Sequence, residues 1–259
     1  MNLLKSKGLY KALLMLSFIL FVSVSSSFAQ GQFRALVFSK TQGFRHQSIP
    51  NAVKAIKDMA QKRVFSVYTT EDAAVFTDES LAKYDLIILA STTGNILNDE
   101  QKAAFIKFVQ SGKGVVGIHS ATDTEYDWEW YTKMIGGQFK HHPAQQTVRI
   151  KVMDSNHPST YHLGNKYWLW TDELYEYQNF NDDVNVLLQL DESTYDVGSR
   201  NGKKMGMGDV HPIAWYHEYD GGRVFYTGLG HVEAAYEDPD FLNHLYGGIW
   251  WAAKGYPLD

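Results

Sequence analysis

The chain has 259 residues and no cysteine, which excludes disulfides, thiolate metal sites and a thiol nucleophile. Its 24 basic and 29 acidic residues leave a net charge of −5, which argues against nucleic acid as a partner. Aromatic residues make up 14% of the chain, and exposed aromatic rings suit the apolar faces of sugars, although most such rings are buried in a core.

The first segment of the chain has the organisation of a cleavable signal peptide. Three lysines precede an uncharged apolar run at residues 12–24, which falls short of the roughly 20 residues that a membrane-spanning helix needs. Ser27 and Ala29 place small residues at the two positions that a signal peptidase reads. We therefore predict that residues 1–29 are removed and that residues 30–259 form one soluble domain, periplasmic or secreted, without stable membrane insertion. A retained membrane anchor is the alternative.

Short apolar segments alternate with helical patterns in the first half of this domain. The predicted strands are residues 35–39, 64–68, 85–91 and 114–121, and the predicted helices are residues 48–61, residues 78–83 and a third that begins after Asn98 and ends at Gly112. Asn98 is the N-cap of that third helix, and Gln101 stands at the capping-box position. The unbroken apolar run within residues 85–91 is typical of a central parallel strand covered on both faces.

The second half differs because its strands are not separated by helices of similar length. The predicted strands are residues 147–154, 184–190, 211–219 and 222–230, and a final helix runs over residues 238–253. Residues 220–222 predict a hairpin turn between the last two strands. The glycine-rich segment 198–208 lacks the spacing of a phosphate-binding P-loop, so we interpret it as a flexible loop.

These patterns predict an α/β protein with a doubly wound, mainly parallel sheet, helices on both faces and extra β-strands in the C-terminal half. Such sheets bind ligands beyond the carboxyl ends of their strands. Polar residues gather at these ends: His46, His119, Ser120, Asp123, His141, His142, Asp172, Glu173, His211 and His231. A lone histidine there is usually structural. Parallel strands end at one rim, however, so we expect His46, His119, His142 and His231 to surround one pocket.

The segment GIHSA at residues 117–121 has the form of a nucleophile elbow, in which a sharp turn joins a buried strand to a helix. The nucleophile position of that motif holds His119, and Ser120 is one residue out of phase. A histidine there can transfer protons or bind a metal, but it does not perform the usual acyl chemistry. The alternative is a turn histidine that ties the strand to the next helix.

Six short segments together carry a family resemblance. They are GFRH at 43–46, GIHSATD at 117–123, GGQF at 136–139 with His142 and Pro143, DELY at 172–175, PIAW at 212–215, and GRVFYT at 222–227 with Gly230 and His231. In this order they resemble the ThuA-like (trehalose utilization) family. The resemblance implies a class I glutamine amidotransferase-like, flavodoxin-like fold without amidotransferase activity, since the cysteine is absent. It also implies a role with trehalose and related disaccharides, whose breakdown passes through 3-keto-sugars.

The chemistry of a 3-keto-glycoside suits these residues. A ketone at C3 acidifies the proton at C2, so a base can remove that proton and the C1 substituent can leave, after which water adds. We predict His119, Asp123, Glu173 and His231 as the catalytic group, with an imidazole as base and a carboxylate as acid or orienting group. The predicted substrate-binding residues are Arg45, His46, His142 and Trp215, and Arg45 or a bound cation would stabilise the enolate.

Two other functions and one cofactor stay open from the sequence. The chain could be a sugar-binding protein without turnover, or a serine hydrolase that uses Ser120 with His231 and Glu173. Neutral imidazoles beside a carboxylate also suit Zn²⁺ or Mn²⁺, but no fixed metal-binding spacing is present, so the sequence leaves a metal open. His157, with the following proline, is assigned to a turn. The remaining histidines, His162, His217 and His244, are predicted to be structural or on the surface.

Overall fold

The computed structural model of the chain describes residues 32–164 and 167–256. The predicted signal peptide, residues 1–29, lies outside this part of the chain. Within the described residues, no helix has both the length and the apolar character needed to cross a membrane.

Thirteen strands and five α-helices are found in the described residues. The strands are β1 (Arg34–Phe38), β2 (Ser66–Thr70), β3 (Leu86–Ala90), β4 (Gly114–Ile118), β5 (Gln138–His141), β6 (Gln146–Val152), β7 (Tyr167–Asp172), β8 (Glu176–Gln178), β9 (Asn185–Leu190), β10 (Ser199–Arg200), β11 (Lys203–Lys204), β12 (Pro212–Tyr219) and β13 (Gly222–Thr227). The helices are α1 (Ile49–Arg63), α2 (Asp78–Leu81), α3 (Asp99–Gln110), α4 (Glu129–Ile135) and α5 (Pro239–Lys254).

Five strands form the parallel half of a nine-stranded sheet, in the order β2-β1-β3-β4-β13. This is the 2-1-3-4-5 order of doubly wound, flavodoxin-type sheets. Every residue of β3 and β4 is buried, as expected for strands that are covered on both faces. The predicted α/β architecture with a parallel sheet is confirmed in this half.

Four more strands extend the sheet beyond β13 in the order β12-β9-β6-β7, and each is antiparallel to its neighbour. The turn between β12 and β13 is Asp220-Gly221, and both residues have positive φ, at 49° and 90°. That conformation fits a two-residue hairpin turn, as predicted. The extra strands of the C-terminal half are therefore confirmed. Two strand pairs lie outside the large sheet, β5 with β8 and β10 with β11.

Helices cover both faces of the sheet, as two adjacent residues of β13 demonstrate. Phe225 and Tyr226 point to opposite faces because side chains alternate along a strand. A Cβ atom on Gly248 of α5 would lie 2.2 Å from the Phe225 ring. On the other face, a Cβ atom on Gly117 would lie 2.4 Å from Ile135 of α4 and 3.0 Å from the Tyr226 ring. Both glycines thus allow a helix to pack closely on the sheet.

The antiparallel half curls back over α5. A flat sheet would separate β7 from β13 by four strand spacings, about 19 Å. Yet Asp172, the last residue of β7, accepts a hydrogen bond of 2.8 Å at Oδ2 from the backbone N–H of Gly230, just after β13. Trp170 of β7 also stacks on Phe241 of α5, with 5.6 Å between ring centroids. The end of β7 is therefore brought to the ends of the parallel strands.

The structure differs from the predicted elements in a few places. The strand predicted from residue 64 begins at Ser66, because Val64 adopts the left-handed conformation that ends α1. The segment predicted as a flexible loop contains the short β10–β11 hairpin. The sequence patterns did not predict α4, β5, β7 or β8.

Candidate active site

His119 occupies the sharp turn directly after β4. Its φ is 49°, in the left-handed region, where histidine is more common than most non-glycine residues but still strained. The hydroxyl of Tyr226 donates a hydrogen bond of 2.7 Å to the carbonyl oxygen of His119, and it lies 3.0 Å from the hydroxyl of Thr122. These buried hydroxyls hold the turn, so the imidazole has one defined position.

The hydrogen bonds of His119 fix its tautomer. Its Nδ1 lies 2.9 Å from the carbonyl oxygen of Gly228. Because a carbonyl only accepts, Nδ1 carries a proton, and Nε2 is the nitrogen that faces the other groups of the site. That Nε2 lies 3.2 Å from Nδ1 of His231 and 3.5 Å from Oε2 of Glu173. His119 is fully buried, so Nε2 faces this cluster rather than open solvent.

Three imidazoles and one carboxylate meet at this point. His46, His119, Glu173 and His231 each offer one ligand atom, and these four atoms lie within 4.8 Å of one another. Nδ1 of His231 is 3.3 Å from Oε2 of Glu173. The His46 ring is perpendicular to the rings of His119 and His231, with centroids 4.7 and 5.3 Å away. We call these four residues the histidine–glutamate cluster.

The charges of the cluster depend on one another. Burial, followed by the nearby His119 and His231, lowers the pKa of His46 to about 3, so that its imidazole is neutral. Burial would raise the pKa of Glu173, but its contacts with His119 and His231 outweigh that effect and hold it well below the usual range. The contact with Glu173 raises the pKa of His231 despite partial burial. In the absence of a bound ion, the cluster is thus a carboxylate paired chiefly with His231.

Asp172 holds two members of the cluster without belonging to it. Its carboxylate is fully buried and accepts four hydrogen bonds. Oδ1 accepts from the backbone N–H groups of Glu173 and His231, and Oδ2 accepts from the Gly230 backbone and the Trp170 indole. A buried charge is stable only when it is satisfied in this way. Asp172 is therefore a positioning residue, a role that the sequence did not reveal.

His142 and Tyr175 contact the cluster without belonging to it. Nδ1 of His142 is 3.1 Å from Oε1 of Glu173 and 2.9 Å from the carbonyl oxygen of Pro143. Since both neighbours are acceptors, Nδ1 carries a proton, and it binds the Glu173 oxygen that faces away from His119. The Tyr175 ring packs against the His119 ring, with 4.2 Å between centroids.

Asp123 follows the His119 turn and has a different environment. Its Oδ1 accepts a hydrogen bond of 2.7 Å from the hydroxyl of Tyr126, which lies 2.8 Å from the carbonyl oxygen of Phe139. Burial raises the pKa of Asp123, partly offset by the hydrogen bond from Tyr126 and the nearby His119. A carboxylate of raised pKa is a better base than an ordinary aspartate.

The contacts of Ser120 do not match the predicted serine hydrolase. Its hydroxyl lies 3.2 Å from Nδ1 of His46, whereas the alternative required His231 and Glu173 as its partners. The Ser120 side chain is also fully buried. A nucleophile must reach a substrate carbonyl, so this arrangement disfavours acyl chemistry at Ser120.

Two predicted substrate-binding residues lie elsewhere. Trp215 is fully buried in the core, where its indole N–H donates a hydrogen bond of 2.9 Å to the carbonyl oxygen of Ile135. It has no exposed face to offer a sugar, so the prediction that it contacts substrate is wrong. The exposed Arg45 forms a two-fold ion pair with Glu71, at 2.7 and 3.0 Å, rather than a contact with the cluster.

Four other histidines form contacts away from the cluster. His211 binds the carboxylate of Glu192 at 2.7 Å. His217 and His244 are buried and bind backbone carbonyl oxygens, as expected for structural histidines. His157 stacks on Tyr216 with 4.4 Å between ring centroids.

The sequence profile of the ThuA family, described as trehalose utilisation, matches residues 34–252. Two solved structures of ThuA-like proteins are similar to this chain. That from Bacteroides uniformis is 24% identical, with a TM-score of 0.72 over 88% of this chain and 94% of the other. That from Parabacteroides merdae is 21% identical, with a TM-score of 0.71 over 88% of this chain and 92% of the other. At these identities the likeness shows the fold.

A third similar structure belongs to a much larger protein. A β-galactosidase from Bacillus circulans sp. alkalophilus is 13% identical, with a TM-score of 0.54 over 88% of this chain but only 32% of that chain. No curated protein sequence matches the chain.

Proposed function

Because the chain belongs to the ThuA family of trehalose utilisation, we propose that it is an exported enzyme that converts or cleaves 3-keto-glycosides. Membership of the family indicates a role in carbohydrate utilisation. The specific reaction and substrate are our proposal. We also propose that the fold is related to class I glutamine amidotransferases, whose cysteine-dependent reaction is excluded because this chain has no cysteine.

The observation that best supports an enzyme is the convergence of titratable groups. His46, His119, Glu173 and His231 lie on four separate chain segments, yet their ligand atoms lie within 4.8 Å of one another. Their pKa values are displaced in opposite directions, up for His231 and down for His46 and Glu173. Groups that bind a sugar without changing it need no such coupling, whereas catalytic sites use it to tune acids and bases.

The proposed reaction begins at C2 of the sugar. In place of the imidazole that the sequence predicted as base, Asp123, whose pKa is raised, removes the C2 proton, and the electrons of the C–H bond form an enolate with the C3 ketone. The imidazolium of His231, whose pKa the contact with Glu173 raises, stabilises the enolate oxygen. The enolate electrons then form a C1=C2 double bond as the C1–O bond breaks, and the departing oxygen takes a proton back from Asp123. Water adds to the double bond to complete a cleavage.

The test is incubation of the purified protein with 3-keto-trehalose, a 3-keto-glucoside and unoxidised trehalose, followed by product analysis. We expect turnover of the keto-sugars only, and deuterium at C2 of recovered substrate in D₂O. Asp123→Asn should lower kcat at least about 100-fold. Ser120→Ala should retain most of the activity and serves as the matched control.

Other outcomes would contradict the proposal. Equal losses in Ser120→Ala and Asp123→Asn would favour a serine hydrolase. Tight binding of a sugar without any product or deuterium exchange would favour a binding protein.

The proposal of export is supported by the N-terminal segment, in which lysines, an apolar run and a cleavage site follow one another. We propose cleavage after Ala29, which makes Gln30 the first residue of the mature protein. Sequencing the N-terminus of protein recovered from the periplasm or medium tests this, and a mature protein that begins at Met1 would contradict it. The proposed partner is a small carbohydrate, and neither nucleic acid nor the bilayer is expected to bind.

A further inference from the structure

We propose that the histidine–glutamate cluster binds one divalent transition-metal ion, with Zn²⁺ as the best fit and Mn²⁺ as the second choice. This inference goes beyond the proposed reaction and depends on none of its steps. It follows from the spacing of the ligand atoms, their protonation and the groups that hold them.

The spacing fits a small coordination sphere. In a tetrahedral Zn²⁺ site with bonds of about 2.0–2.1 Å, neighbouring ligand atoms lie about 3.3–3.4 Å apart. Three atoms of the cluster have this spacing. Nε2 of His119 is 3.2 Å from Nδ1 of His231 and 3.5 Å from Oε2 of Glu173, and the last two are 3.3 Å apart. One nitrogen of His46 lies within 4.8 Å of all three and completes the set.

The protonation of these residues is also that of ligands. A histidine ligand must present a bare nitrogen, and its other nitrogen commonly donates to a carbonyl or carboxylate. His119 meets both conditions, because Nδ1–H donates to the Gly228 carbonyl oxygen at 2.9 Å and Nε2 faces the cluster. The two oxygens of Glu173 have different partners. Oε1 lies 3.1 Å from the protonated nitrogen of His142, and Oε2 faces His119 and His231. His142 is thus an outer partner and not a ligand.

The backbone around the cluster is held before any ion arrives. Asp172 accepts hydrogen bonds from the backbone N–H groups of both Glu173 and His231. Tyr226 holds the carbonyl oxygen of His119. Pre-organised ligands of this kind lower the ordering cost of binding.

One side of the cluster is open. The His46 residue is 4% exposed and the His119 residue is fully buried, whereas the His231 side chain is 26% exposed and the Glu173 side chain 13%. An ion held by these four residues could therefore take a water molecule or a substrate oxygen from the exposed side. A keto oxygen bound there would be polarised by the ion, the electrostatic role that the proposed reaction requires.

The test uses the metal alone, without substrate. The chelated full-length protein is titrated with Zn²⁺ by calorimetry and with Co²⁺ by visible absorption, which reports the coordination of the bound ion. We expect one ion per chain and a higher melting temperature, because an ion that binds only the folded state stabilises it.

Variants separate ligands from neighbours. His231→Ala and Glu173→Gln should weaken Zn²⁺ binding at least about 100-fold, and His142→Gln about 10-fold, as for an outer partner. For His119 the variant to use is His119→Asn rather than His119→Ala, because asparagine tolerates the left-handed backbone conformation of this residue. His141→Gln, a histidine outside the cluster, is the matched control and should bind normally.

Two results would overturn the inference. One is the absence of saturable Zn²⁺ and Co²⁺ binding by folded wild-type protein. The other is unchanged binding and an unchanged Co²⁺ spectrum in folded His231→Ala. Either result would leave the proposed acid–base reaction to its own test of product formation and C2 deuterium exchange, with His231 rather than an ion stabilising the enolate.

Discussion

At the scale of single residues, two buried acids do different work beside the same histidines. Glu173 faces the imidazoles, whereas Asp172, its neighbour in sequence, turns inward and binds four N–H groups. A carboxylate that accepts hydrogen bonds from two N–H donors on each oxygen cannot be replaced by an amide without loss. The role of Asp172 can therefore be tested apart from that of Glu173.

We expect Asp172→Asn to destabilise the protein by roughly 2–4 kcal/mol, because the new NH₂ group would face two N–H donors. Zn²⁺ binding should weaken by about 10-fold or more. Denaturant unfolding and calorimetric titration measure the two effects. Asp238→Asn is the control, since asparagine caps a helix as well as aspartate does. An Asp172→Asn protein as stable as wild type would refute this positioning role.

The sequence located several site residues but not their partners. His46, His119 and His231 follow parallel strands, and the rule that such strands end at one edge was enough to bring them together. The burial of Trp215 and the ion pair of Arg45 with Glu71 depend on contacts between distant segments. No local pattern encodes such contacts.

At the scale of elements, the close packing of α5 on the sheet depends on the absence of a side chain. Gly248 stands where a Cβ atom would lie 2.2 Å from the Phe225 ring. Alanine is the better helix former by about 1 kcal/mol, but overpacking a filled core costs about 1–3 kcal/mol. The steric cost should therefore outweigh the gain in helix propensity.

We predict that Gly248→Ala lowers the free energy of unfolding, despite the gain in helix propensity. Asn243→Ala, on the exposed side of the same helix, should be neutral or slightly stabilising. Chemical denaturation of both variants measures the difference. A stabilised Gly248→Ala protein would mean that Phe225 can move aside.

The elements that the sequence predicted are those with strong local signals. The capping box of α3 is present, with Asn98 and Gln101 each bonded to the backbone of the other. The strand β7 was missed although its residues alternate, with Trp168, Trp170 and Asp172 buried and their neighbours exposed. The alternation was hard to recognise because it places Asp172 at an inward position, and a carboxylate is rarely buried unless it is paired.

At the scale of the whole molecule, buried histidines make stability depend on pH. Burial lowers the pKa of His244 to about 3, an effect reinforced by His162 and His157, and burial lowers the pKa of His157 to about 4. In the unfolded chain both titrate near 6.5. Below that pH the unfolded state binds more protons than the folded state, so the free energy of unfolding falls as the pH falls.

We therefore expect full stability from these groups above about pH 6.5 and a progressive loss down to about pH 4, at up to about 1.4 kcal/mol per pH unit for each histidine. Unfolding free energies measured across this range should have a smaller slope in His244→Gln. The control Asn243→Ala, which removes no titratable group from the same helix, should keep the wild-type slope. An identical slope in His244→Gln and wild type would contradict the assignment.

The curl of the sheet means that the residues of the cluster come from two different parts of the sheet. Three imidazoles follow strands or loops of the parallel half, whereas Glu173 follows β7, the edge strand, which pairs only with β6 in the large sheet. Edge elements open locally at a lower free energy than the core. Asp172 ties the end of β7 to the segment after β13 through the backbone N–H groups of Gly230 and His231. Local opening of β7 must therefore break these hydrogen bonds, and it would remove Glu173 from the cluster in the same event.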